Sequence, residues 1–240
     1  MKMVITGFVV TLLVISLAII MIIPNFALQK SQAVGLLIFD ITDDKNLPQW
    51  CNELSDFINT NKIDAAVFVS GNLVERFPQC ANKFHPGVDV GSQTYSYVSL
   101  TTISDYELQL EEVHKGKEAV DSAGHFDSKL FRAPYGKTDE NIYSLLSKNN
   151  IVADFSYKNQ YNKFHNGQFL KFNVNSYSNP ENFSNLIISE ELPLVVTFDN
   201  SIPVSKISSF VSGVDSKKFR FVSASELTGL DLTVRGGMGI

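Results

Sequence analysis

The chain has 240 residues, of which 20 are Lys or Arg and 25 are Asp or Glu, giving a formal charge of -5. That mild balance supplies no basic footprint for nucleic acid, and no acidic tract of the kind that forms a solvated tail. Setting aside an apolar N-terminal segment leaves roughly 205 to 210 residues, enough for one domain with a sizeable core of its own.

The N-terminal segment comes first in chain order. No charged residue occurs from Met3 to Leu28, and Val4 to Ile23 is apolar except for Thr6, Gly7, Thr11 and Ser16. A helix of that length, at about 1.5 Å per residue, spans a hydrocarbon core of about 30 Å. The competing reading is a secretory signal peptide, with Lys2 as its positive start and Ser31-Gln32-Ala33 as its cleavage site. Signal peptides carry a shorter apolar core of about 7–15 residues, so the length favours an uncleaved transmembrane anchor over residues 1–30. Both readings export residues 31–240. They predict a single-pass membrane protein with its C-terminal domain outside the cytoplasm; the flanking Lys2 and Lys30 set orientation only weakly.

Strand-like and helix-like stretches then alternate. Val34–Asp40 reads as a buried strand, and Pro48–Thr60 as a helix with Pro in its first turn and Trp50, Leu54, Phe57 and Ile58 at helical spacing. Asp64–Ser70 is the next strand, Asn72 to about Lys83 a helix, and Val88–Gly91 a short strand. Ser104–Ala123 is the longest helix, with Ser104 and Glu107 spaced as a capping box. Leu130–Arg132 and Ile151–Phe155 read as strands around a helix over Thr138–Lys148. Residues 156–167 are polar and aromatic without a period and are expected to be a loop near the active end of the fold, carrying His165. Phe169–Val174, Leu194–Asp199 and Phe219–Ser223 are later strands, with helices near Pro180–Ile188 and Pro203–Val211.

This alternation implies parallel strands joined by crossover helices, and about seven such units close into an α/β barrel more naturally than into an open sheet. Chemistry in such barrels gathers at the carboxyl ends of the strands. The positions to inspect are therefore Asp40, Ser70, Gly71, Ser92 to Tyr97, Arg132 to Tyr135, Asp154 and Asp199. Cys51 and Cys80, the two cysteines, lie on consecutive strand–helix units. In an exported domain they either bridge or remain separate thiols on buried helix faces, and the expectation is that they lie close enough to bridge. The triplet Asn182-Phe183-Ser184 fits a glycosylation acceptor.

Five fragments at those strand ends carry a resemblance. They are Ile38-Phe39-Asp40-Ile41-Thr42, Ala65-Ala66-Val67-Phe68-Val69-Ser70-Gly71, Gly91-Ser92-Gln93-Thr94-Tyr95-Ser96-Tyr97-Val98-Ser99-Leu100, Phe131-Arg132-Ala133-Pro134-Tyr135-Gly136, and Val196-Thr197-Phe198-Asp199. In this order they resemble the NodB-type polysaccharide deacetylase family, whose blocks read T-F-D-D-G, A-T-F-F-V-x-G, G-x-H-T-x-S-H-x-x-L, F-R-x-P-Y-G and L-x-H-D. The resemblance implies a deformed parallel (β/α) barrel. It also implies deacetylation chemistry, in which a divalent metal such as zinc polarises an N-acetyl carbonyl and activates water. A first Asp is the base, a late His the acid, an Arg orients the base, and the N–H beside the Tyr helps hold the oxyanion.

Transferred position by position, the base is Asp40, the orienting Arg is Arg132 and the Tyr is Tyr135. The metal ligands fall on Ile41, Gln93 and Tyr97, and the acid on Phe198. None of His85, His114, His125 or His165 fills a family position. Sliding the first block by three residues would make Asp43 and Asp44 the carboxylate pair; otherwise those two residues belong to a turn or to the next helix N-terminus. No metal is therefore expected, and Gln93, Tyr97, Tyr135 and Asp199 are the expected ligand-binding residues. Tyr95 or Tyr97, Tyr135, Tyr157 and Tyr161 would line the mouth, suited either to stacking on sugar faces or to a protein contact. The first functional expectation is a membrane-anchored, catalytically degenerate deacetylase-like protein that binds a cell-envelope glycan or protein partner. The second is an active carbohydrate N- or O-deacetylase with an altered metal site.

Overall fold

The computed structural model describes residues 32–235 except Glu190. The expected anchor or signal segment, residues 1–30, lies outside the described residues, and no helix among those described is long and apolar enough to cross a membrane.

The first half follows the strand–helix pattern: β1 Ala33–Ile41, α1 Leu47–Asn61, β2 Ala65–Val69, α2 Gly71–Arg76, α3 Gln79–Asn82, β3 Val88–Ser92, α4 Tyr106–Gly124, β4 Phe126–Ser128, β5 Leu130–Phe131, α5 Glu140–Lys148 and β6 Ala153–Asp154. Then come β7 Gln160–His165, β8 Gln168–Asn173, β9 Asn175–Ser178, β10 Leu194–Asp199, α6 Val204–Ser212, β11 Phe219–Phe221, α7 Ala224–Thr228 and β12 Thr233–Arg235. The main sheet runs β8-β7-β6-β5-β3-β2-β1-β10-β9, with β11 on the start of β1. From β6 through β3, β2 and β1 to β10 and β9 the pairs are parallel. β8 continues through Val174 into β9, so one stretch of chain, Gln168–Ser178, leaves β7 and joins β10. The two ends of the sheet order are thus connected, and the sheet is a nearly closed, deformed barrel.

Side chains alternate along each strand, as the pleat requires. Leu37, Phe39 and Ile41 of β1 and Leu194, Val196 and Phe198 of β10 pack against the helices. Leu36, Ile38, Ala66, Phe68 and Val195 fill the barrel with Phe155 and Tyr161. The apolar face of α1, with Leu47, Trp50, Cys51, Leu54 and Ile58, closes over the outer layer. Cys51 of α1 and Cys80 of α3 form a disulfide, with Cα atoms 5.1 Å apart, so of the two readings open in the sequence the bridge is the one found.

Several expected elements differ. The single helix from Asn72 to Lys83 is two short ones, because Pro78 cannot donate a backbone N–H and disfavours a helical Phe77, whose φ/ψ is -134°/67°. α4 is capped by Asp105 rather than Ser104, its carboxylate accepting from the N–H groups of Glu107 and Leu108. The expected loop over 156–167 contains β7, and the strand after it is antiparallel to β7 rather than parallel. Asn166 and Gly167, at φ 48° and 86°, form the two-residue turn between them. The expected helix near Pro180–Ile188 is a 3-10 turn at Phe183–Asn185, where Phe183 is the buried residue. One consequence is that His165 lies at the turn end of the β7–β8 hairpin. β7 runs antiparallel to β6, so this end is away from the barrel mouth.

Candidate active site at the barrel mouth

Asp40 is the penultimate residue of β1, and Gln93, Arg132 and Ser156 follow the carboxyl ends of β3, β5 and β6; all four line one cleft of about 300 Å³. Tyr97, Tyr135, Tyr157, Tyr161 and Lys158 complete most of its wall, with Ser176, Ser178 and Thr197 on the far side.

Arg132 and Asp40 are the ionic centre. Arg132 Nε donates to Asp40 Oδ2 at 2.9 Å, with both side chains largely buried. The same guanidinium donates to the Phe155 carbonyl and lies beside the Tyr161 phenol, which favours its charge. Burial raises the Asp40 carboxyl above its ordinary range, and Arg132 only partly offsets that cost; the nearby Asp199 adds to it. Arg132 is held charged: burial works most strongly against the charge, but Asp40 and Tyr161 together outweigh it.

Beneath this pair, Asp154 accepts from both the N–H and the hydroxyl of Ser156, whose oxygen in turn accepts from the Ala133 N–H at 2.8 Å. This chain fixes the Arg132–Gly136 loop from below. Burial pushes the Asp154 carboxyl up to about 6, against the lowering effect of Ser156 and Asn162. A carboxyl raised in the folded state binds more protons there than in the unfolded chain, so this group makes stability rise as pH falls from above 6 towards the unfolded value near 4. Asp154→Asn should remove roughly 3 kcal/mol of that slope between pH 7 and pH 4. Denaturant unfolding at the two pH values checks this, and an unchanged slope would contradict it.

The 93–99 loop is moored from several directions. Gln93 N–H bonds the Val69 carbonyl at 3.1 Å, Tyr95 N–H bonds the Glu112 carbonyl at 2.9 Å, and Ser96 donates twice to the Glu112 carboxylate. α4 approaches this loop at Gly116, where a Cβ would lie 2.7 Å from the Gln93 carbonyl oxygen. Tyr97 and Tyr135 both adopt left-handed backbone, at φ 59° and 60°, and their rings meet at 5.2 Å. The backbone N–H of Tyr135 lies on the same side as the Tyr97 phenol and slightly favours its ionised form. Burial, then the Asp40 charge, pushes that phenol up to about 12.

The cleft therefore brings together Asp40, Gln93, Tyr97, Arg132 and Tyr135. Asp199 is not among its lining residues: its carboxylate accepts from Asn179 and Ser201 beyond the end of β10. Of the two tyrosine alternatives, Tyr97 faces the cleft, whereas Tyr95 turns outward to Glu75. Ile41 and Phe198 point the other way, into the packing between sheet and helices. Asp43 and Asp44 lie past the strand, where Asp43 accepts from the Lys45 N–H and Asp44 pairs with Arg76. His85 bonds the Ile63 carbonyl, His114 lies in α4 beside Asn149, and His125 caps the end of α4; none lines the cleft. Lys158, Ser176 and Ser178 were not singled out from sequence; the Asn-Gly turn that defines the hairpin is the signal that could have placed their strands.

The family model for polysaccharide deacetylase matches residues 29–153, and the chain belongs to that family. No curated protein matches the chain. Among solved structures, the peptidoglycan deacetylase PdaC from Bacillus subtilis is 15% identical, covering 83% of this chain and 91% of its own at a TM-score of 0.60. A family 4 carbohydrate esterase from Streptomyces lividans, in complex with acetate, is 17% identical over 80% and 92%, at 0.56. A CE4 family pseudoenzyme from Bacillus anthracis is 12% identical over 82% and 66%, at 0.61. These likenesses establish the shared fold.

Proposed function

We propose that this protein is a membrane-anchored, catalytically degenerate member of the family that binds a cell-envelope glycan in the barrel mouth without hydrolysing it. The observation that carries this reading is the set of side chains at the metal positions. A catalytic zinc-type site needs three protein donors and an open position. Ile41 has no donor atom and packs in the core. Gln93 offers a neutral amide, and the Tyr97 phenol, pushed up to about 12, keeps its proton at neutral pH. These residues do not fit a catalytic divalent metal, so no metal-activated water is invoked here.

The rest of the machinery supports the same reading. The acid position is Phe198, in contact with the rings of Phe39 and Phe210 rather than with the cleft. What remains is a binding surface: a charged pair at the floor, hydroxyls along one wall, and the rings of Tyr97 and Tyr135, the latter 68% exposed, at the rim. Aromatic faces beside polar groups suit a pyranose ring. A solved pseudoenzyme of this fold also exists as a mutant with restored enzymatic activity, so loss of activity has precedent within the fold.

The anchor part of the proposal rests on the apolar run Val4–Ile23, with the domain outside the cytoplasm. N-terminal sequencing of the mature protein tests it: a start at Met1 or Lys2 supports the anchor, and a start at Val34 overturns it. The binding reading is tested with N-acetylated and de-N-acetylated chito-oligosaccharides and the full chain. Association of either with no acetate released supports it, and acetate release overturns it.

A further inference from the structure

Three acceptor atoms belong to side chains that line the same cleft. Asp40 Oδ1 and Gln93 Oε1 are buried and have no hydrogen-bond partner among the described residues. Gln93 as a whole is 1% exposed, yet it lines the cleft. The third acceptor is the Tyr97 phenol oxygen, close enough to Asp40 for the carboxylate charge to act on it. A buried acceptor left unpaired costs about 1–3 kcal/mol, more when charged, so Asp40 Oδ1 and Gln93 Oε1 favour a ligand that brings donors.

Resting on the glycan-binding reading above, we propose that the cleft selects an amino sugar whose nitrogen is a free ammonium rather than an acetamide. A primary ammonium is a compact cation with three N–H donors and no acceptor. One such group can serve Asp40 Oδ1, Gln93 Oε1 and the Tyr97 oxygen together. An acetamide fits less well: its single N–H can satisfy only one of the two unpartnered buried acceptors. The sugar ring then lies towards Tyr135, with Ser176 and Ser178 placed for its hydroxyls. The protein would thus read the product of a deacetylation carried out by another enzyme, which places its ligand downstream of an amide-hydrolysing step.

A lysine side chain carries the same ammonium, so the test separates the two sources. Binding of the full chain is measured by calorimetry against a tetramer of glucosamine, the N-acetylated tetramer and a lysine tetrapeptide. At neutral pH the glucosamine tetramer should bind at least tenfold more tightly than either of the others. Gln93→Leu and Tyr97→Phe should each reduce that preference several-fold while leaving thermal unfolding nearly unchanged. Equal or tighter binding of the N-acetylated tetramer overturns this inference but leaves the glycan-binding reading standing. Tighter binding of the lysine peptide overturns the inference in favour of a protein ligand, and absence of binding to both sugars overturns it together with the glycan reading. Acetate release, by contrast, bears on the degenerate-site proposal.

Discussion

Arg132→Met should destabilise the fold by about 3–5 kcal/mol, the cost of leaving one member of a buried ion pair without its partner. Three groups lose the guanidinium at once: the Asp40 carboxylate, the Phe155 carbonyl and the Tyr161 hydroxyl. Asp40 suffers most, since burial already raises its carboxyl with Arg132 present. Two further results follow from that cause. The deficit should shrink as pH falls, because a protonated Asp40 no longer carries an unpaired charge. The double variant Asp40→Leu with Arg132→Met should lose less than Arg132→Met alone, because the stranded charge is gone. Urea unfolding of the three chains measures all of this. A loss below about 1 kcal/mol for Arg132→Met, of the size seen for exposed pairs, would show that the pair is not buried in solution.

Removing the disulfide by Cys51→Ala with Cys80→Ala is the second large effect expected. The bridge spans 29 residues of sequence, and the chain-entropy relation for a loop of that size gives on the order of 3–4 kcal/mol. Both cysteines are fully buried between α1 and α3, so the small cavities left by the two missing sulfur atoms add to the loss. For the same reason, reductant should act on the native protein only through unfolding. Equilibrium unfolding of the double variant checks the magnitude, and a loss under 1 kcal/mol would mean that the unfolded chain already holds α1 near α3.

The parts of the fold that were legible in the sequence are those where one physical demand dominates. β1, β2 and β10 are buried on both faces and read as unbroken apolar runs. Asp40 and Arg132 were found because each ends such a run, where the barrel delivers side chains to its mouth. β7 was hidden because its outer positions are polar and partly exposed, so no apolar run marks it. Its strand character comes from pairing with β8, which only the Asn166-Gly167 turn announces. Asp199 was expected in the cleft because β10 ends there. Its side chain is instead taken by Asn179 and Ser201, local partners that the strand pattern does not encode. The Tyr97–Tyr135 contact was equally invisible, since it joins two loops through left-handed backbone that neither residue type favours.

The central claim is that the mouth binds without hydrolysing, and acetate release tests it most directly. The full chain is incubated with N-acetylated chito-oligosaccharide and zinc, cobalt or nickel in turn, and free acetate is measured. No acetate above the protein-free control is expected with any of the three metals, because Ile41, Gln93 and Tyr97 cannot hold an ion that would activate water. Metal-dependent acetate release that disappears in Gln93→Ala would contradict the account and establish an active deacetylase with an altered metal site.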